Sequence, residues 1–168
     1  MTEDRPAAGL FGKLPLQGDF VERGLPPAFR RQWDMWITRH IAPRQRGGAL
    51  FPDGGLRFRL VSGGATAAGL ILPGGDSAGR LFPLSLLLIA DGALAAAAID
   101  RWCDDALVLP LADLDADALW LALDGLTVPE ITGSAGPPAL DLWAGGGPPE
   151  GFSDTADGAA LLQRLLPV

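Results

Sequence analysis

The chain has one cysteine, Cys103, and one histidine, His40. A lone thiol closes no internal disulfide, and neither residue sits in a cluster with metal-ligand spacing, so a disulfide scaffold and a zinc site are both excluded and a reducing cytoplasm fits best. Long apolar runs are missing as well. The N-terminal MTEDRPAAG lacks a hydrophobic core of signal-peptide length, and the most apolar region is interrupted by Pro83, Asp91 and Gly92 before it spans a bilayer. No export signal and no membrane insertion is expected. Positive charge is also scarce, with 13 Lys and Arg against 20 Asp and Glu, a net charge of -7. That balance opposes any sequence-independent grip on nucleic acid or anionic lipid. The arginines are unevenly spread, however: Arg23, Arg30, Arg31, Arg39, Arg44, Arg46, Arg57 and Arg59 crowd the N-terminal part, leaving room for a basic patch that faces a protein.

What is present is apolar and turn-rich. Of 168 residues, 48% are hydrophobic, which allows one domain to bury roughly two-thirds of its unfolded surface; 23 glycines and 15 prolines require short elements and many turns. Leu10 to Leu16 predicts a first strand closed by a turn at Gly18, where Asp19 can hold the turn through its side chain. Phe29, Trp33, Trp36, Ile37 and Ile41 share one helical face between Pro26 and Pro43. Leu56, Phe58 and Leu60 alternate with Arg57 and Arg59, the period of a half-buried strand with the arginines outward. Ala67 to Leu72 and Leu81 to Ala90 predict two strands joined by the turn PGGDSAGR, the second apolar on both faces and therefore central. Alanine-rich and DADALWLAL helices follow, the latter capped by Asp115 and ended by Gly125. After a breaker-rich stretch with one strand near Leu140 to Trp143, DGAALLQRLLP predicts a closing helix. Residues 1–8 and the Gly/Pro-rich 144–152 are expected to be flexible. Strands and helices interleave, favouring an α/β fold with helices on both sides of a sheet.

The chemistry-bearing patterns do not assemble into an active site. GGDSAGR offers backbone donors and Arg80 to a phosphate, but neither GxxxxGK[ST] nor GxGxxG occurs and both flanks predict strands, so a hairpin turn is favoured. GKLP raises the same question for Lys13, which reads as a surface cation. A hydrolase would draw on Ser62, Ser77 or Ser85 with His40 and Asp19 or Asp76, yet no GxSxG elbow is present, and Ser85 reads as a small core-facing hydroxyl. Cys103 lies beside Asp104 and Asp105, which disfavour a thiolate. The acids at 104, 105, 113, 115 and 117 lack a calcium-loop pattern. No metal and no cofactor is expected.

The segment GLFGKLPLQGDFVERGLP, then Phe29, Trp33, Asp34 and Trp36, then GLILPGGDSAGRLFPL resemble, in that order, the TagF family of type VI secretion-associated proteins. The likeness is strong over about residues 9 to 90 and extends beyond them only in general layout. Gly74, Gly75, Ser77 and Ala78 replace bulkier or charged residues of the family's second turn, and a phosphatase domain of the kind fused to some relatives is not expected.

The resemblance implies a three-layer α/β/α sandwich, expected with a central mixed sheet in a single domain over 1–168. It further implies a cytoplasmic protein that represses the type VI secretion system after translation, by binding the forkhead-associated scaffold protein Fha and preventing assembly of the apparatus. Lys13, Asp19, Arg23, Asp76 and Arg80 are the signature or partner-binding residues it points to. Asp19 and Arg23 are expected to pair with Arg80 or Asp76 across neighbouring turns, either to contact the partner or to lock the turns together. The alternative is a small hydrolase or nucleotide-binding module that uses Asp19, Asp76 and Arg80.

Overall fold

The computed structural model describes residues 5–153 and 155–168. The first strand, β1 (Ala7–Gly12), is buried from Ala8 onward, and a three-residue strand, β2 (Val21–Arg23), returns beside it. The expected flexible N-terminus thus gives way to sheet pairing at Ala7; residues 1–4 lie outside the described residues. The aromatic face then forms α1 (Pro27–His40), which starts on a proline and buries Trp33 and Ile37. Pro43 does not simply end that helix. It falls in the first turn of a second short helix, α2 (Ala42–Arg46), where its missing N–H costs nothing.

The alternating run becomes β3 (Leu56–Ser62), which turns through Gly63 and Gly64 into β4 (Ala65–Leu72). Both glycines have positive φ, 60° and 80°, as a tight two-residue hairpin requires. β5 (Leu84–Ala90), α3 (Ala96–Leu107), α4 (Ala116–Asp124), β6 (Ala139–Ala144), β7 (Glu150–Gly151) and α5 (Ala156–Leu165) complete the chain. The 144–152 segment, expected as a flexible loop, contributes β7, which pairs with β6, and Phe152, whose N–H donates to Leu140 O at 2.8 Å.

The sheet order is β2-β1-β5-β4-β3-β6-β7. The expectation of a mixed sheet is incorrect, since every pairing is antiparallel. Helices do intervene between strands, but they carry the chain from β2 to β3 and from β5 to β6, pairs that are not neighbours. Among the described residues, no βαβ unit with adjacent parallel strands therefore forms.

Alternation along β5 divides the core. Leu84, Leu86 and Leu88 join Ile99, Trp102 and Cys103 of α3 and Leu119 and Leu123 of α4. Leu87 faces the other way, toward Trp33 and Ile37 of α1 and Leu161 and Leu162 of α5. Each such fully buried large side chain contributes about 1.5–3 kcal/mol.

Because α3 covers one face, the arginines of β3 do not point into water. Arg57 is 2% exposed. Its Nη1 donates to Asp100 Oδ1 at 2.9 Å and to Asp100 O, its Nη2 to Asp104 Oδ1 at 3.0 Å and to Gly54 O, and its Nε to Gly54 O. The indole of Trp143 donates to the same Asp100 oxygen at 2.9 Å. Every guanidinium N–H thereby finds an acceptor, which a buried cation requires.

Candidate functional site

Two turns meet where β1 ends and β5 begins. Gly12 has φ 139°, and a Cβ there would lie 2.2 Å from Pro83 O, so only glycine lets the chain leave β1 against the entry to β5. Lys13 and Leu14 then turn inward, 7% and 0% exposed, and Gln17 N closes the turn on Leu14 O at 3.0 Å. The second turn, 74–80, docks on the first. Ser77 N donates to Gln17 O at 2.8 Å, and Arg80 Nη2 donates to Gly18 O at 2.6 Å.

Asp76 is the centre of this junction. Its side chain has no exposed surface, and its Oδ1 accepts from Ala78 N at 3.0 Å and Arg80 N at 2.9 Å. Its Oδ2 takes Arg80 Nε at 2.8 Å and Lys13 Nζ at 3.1 Å. Burial pushes the carboxyl up, but the bonds from Arg80 N, Lys13, Ala78 N and the Arg80 guanidinium outweigh it and bring the pKa down to about 2. Lys13 is therefore not the surface cation its sequence context suggests. Its ammonium also lies 4.8 Å from the centroid of the Phe20 ring, which packs edge-on to Phe82 at 4.8 Å.

The structure thus brings Lys13, Asp76 and Arg80 together and leaves the other two candidates outside. Asp19 is exposed and accepts only from Phe20 N, at 2.8 Å, among the described residues. Arg23 turns away from the junction, pairing with Asp117 of α4 at 2.8 Å, because β2 lies beside that helix. The pairing expected between Asp19 or Arg23 and the second turn does not form. Two glutamines do take part: Gln17 Oε1 accepts from Ala116 N at the start of α4, and Gln45 Nε2 of α2 donates to Gly74 O at 2.7 Å. Neither carries a sequence pattern that marks it.

As chemistry, the junction offers little that is free. Asp76 is saturated by donors, so it is not available as a base or a ligand. Ser85 accepts from Trp33 Nε1 at 2.9 Å inside the core, and His40 packs against Trp36 and Phe152. Burial, only partly opposed by Arg57 and reinforced by Asp100 and Asp104, pushes the Cys103 thiol up to about 12. Among the described residues no three His, Cys, Asp or Glu side chains group to hold a metal, and no helix is long and apolar enough to cross a membrane. The outward surface of the two turns includes Leu16, Asp19, Phe20, Arg80 and Leu81.

Residues 9–124 match the family model of the TagF N-terminal domain, described as type VI secretion system-associated. Among solved structures, the crystal structure of PA0076 from Pseudomonas aeruginosa PAO1 is similar, with a TM-score of 0.61 and 25% identity over 94% of this chain and 77% of that one. No curated protein matches the sequence.

Proposed function

The chain belongs to the family of TagF N-terminal domains associated with type VI secretion, and from that premise we propose that it is a cytoplasmic, non-enzymatic negative regulator of the secretion system, acting after translation. Its partner in this reading is the forkhead-associated scaffold protein Fha, whose capture holds back assembly of the apparatus. One observation carries the reading: the family match contains both turns that Lys13, Asp76 and Arg80 lock into one rigid edge. A rigid edge suits a binding module, because it presents contact residues without an ordering cost. Lys13 and Asp76 serve inside the edge, Asp19 and Arg80 contact the partner, and Arg23 fixes α4 behind it. We take the sheet as the centre of a three-layer α/β/α sandwich, supported by the two core clusters on its faces. Residues 1–168 form one unit in this reading, since β6, beyond the matched residues, is bonded to β3 in the same sheet.

Titration calorimetry of the chain against Fha of the same organism tests the proposal. Binding by the parent that is lost in a folded Asp19→Ala variant supports both the partner and the edge. Binding retained by folded Asp19→Ala and Arg80→Ala variants keeps the partner and removes the edge. No heat with the parent at working concentrations removes the partner.

A further inference from the structure

The helices on the two sides of β5 carry opposite charge. α1 and α2 hold five arginines and a single carboxylate, Asp34, whereas α3 and α4 hold five aspartates and a single arginine, Arg101. The two groups lie apart, since α1 packs with Leu87 of β5 and α4 with Leu86, which points the other way. α1 and α4 also each leave a large apolar side chain in water amid these charges. On α1 it is Met35, 73% exposed, with the exposed Arg31 one turn before it. On α4 it is Leu121, 76% exposed, beside Trp120 and between Asp117 and Asp124. These four residues of α4, with Ala7, Ala8 and Gly24, line a cleft of about 520 Å³. A single exposed apolar residue is ordinary, but here each is set in charges that complement those around the other.

We propose that the exposed face of α1 docks on the α4 cleft of a second copy of this chain, independently of the Fha reading. With the two helices antiparallel, Met35 enters the cleft against Leu121 and Trp120, and Arg31 reaches Asp124. The spacings agree: Arg31 and Met35 stand about 6 Å apart along their helix axis and Leu121 and Asp124 about 4.5 Å, a difference that an arginine side chain spans. Asp124 rather than Asp117 takes the guanidinium, because Asp117 already pairs with Arg23, while the Asp124 carboxylate carries no ion pair among the described residues. The net charge of -7 repels copies at long range, so association depends on this local match. It joins unlike surfaces and is therefore head-to-tail: a bound copy still offers an unused α1 or α4, and association continues beyond a dimer or closes as a ring. One helix pair buries little area, which places the contact among weak, transient interfaces.

Sedimentation equilibrium of the chain between about 10 μM and about 1 mM reads the association directly. The weight-average mass of the parent is expected to rise with concentration. Arg31→Glu and Asp124→Arg each set like charges against one another and are expected to weaken association at least about tenfold. Both sites are exposed, and circular dichroism checks that the variants are folded. An equimolar mixture of the two variants, in which each reversed charge meets the other, is expected to associate where neither does alone, and so is a chain carrying both changes. Leu121→Ala, at a site in water, is expected to weaken association without altering stability. A parent that stays monomeric up to about 1 mM overturns the proposal. So does association that neither charge reversal diminishes, or single variants whose mixture recovers nothing, since a two-fold contact between like surfaces behaves in that way.

Discussion

Lys13 and Asp76 form an ion pair, 3.1 Å from Nζ to Oδ2, with 9% and 0% of their side chains exposed. The residues lie on different turns, so the pair joins two segments separated by the whole of α1, α2, β3 and β4. Lys13 and Asp76 consequently face inward, whereas Asp19 and most of Arg80 face outward. The inward pair shapes the edge, whose outward surface carries Asp19, Phe20, Leu81 and the exposed part of Arg80.

Acid should loosen this junction over a definite range. The Asp76 carboxyl is lowered from 3.8 to about 2, so the folded state favours the ionised form. Its contribution to stability is complete above the unfolded value and disappears as pH falls from about 3.8 to about 2. Urea denaturation at a series of pH values should show this loss in the parent. Asp76→Asn should be less stable at neutral pH and lack that component of the acid slope; an unchanged slope contradicts the role assigned to Asp76.

The exit from β1 makes a steric prediction. Gly12→Ala must place a Cβ 2.2 Å from Pro83 O at φ 139°, whereas Gly79→Ala, at φ 80°, meets nothing within 4 Å. The second change carries only the conformational penalty, about 1–2 kcal/mol. The first must also displace backbone and should cost more, with both read as shifts in urea midpoint at constant slope. Equal losses would mean that the β1–β5 approach relaxes freely.

Local order was legible in the sequence to the extent that it is written in local chemistry. The aromatic face of α1, the Asp115 cap, which accepts from Ala118 N at 2.8 Å, and the inward Ser85 all stand where periodicity and capping rules place them. In α3, Ile99, Trp102, Cys103 and Ala106 face the core, while Leu94 packs just ahead of the helix. Long-range placement was not legible. A strand reading HPHPH assigns Arg57 to water, and only the arrival of α3 turns that face into interior. Likewise Lys13 shows no sign of Asp76, 63 positions away, and Arg23 none of Asp117. The direction of strand pairing was hidden too, because alternating helices and strands say nothing about which strands become neighbours.

Arg57 tests how much that hidden burial matters. Arg57→Ala leaves Asp100 and Asp104 without their cation and the Gly54 carbonyl without its donors. Removing one partner of a buried pair typically costs about 3–5 kcal/mol; the 69% exposure of Asp104 places the expectation near the lower end. Trp143→Phe, which removes another donor from Asp100, should couple to it non-additively in a double-mutant cycle of chemical denaturation. Strict additivity would show that the two donors do not act on one carboxylate.

Cys103 reports on the same layer from the opposite end of the pH scale. Its thiol is wholly buried, and burial raises it from 9.0 to about 12, so the folded state favours the neutral form. The sign is the reverse of that for Asp76. The contribution is complete below pH 9.0 and is lost as the pH climbs toward about 12, where the unfolded thiol ionises and the folded one does not. In native protein at pH 8 a thiol-specific disulfide reagent should therefore react only through opening of the α3 layer, with a rate that rises as urea is added and falls in no variant that destabilises that layer. Arg57→Ala should accelerate the reaction, because it weakens the contact holding α3 to β3. Fast labelling of the native parent, independent of urea, would instead mean that the thiol is reached without unfolding, and would contradict its placement under α3.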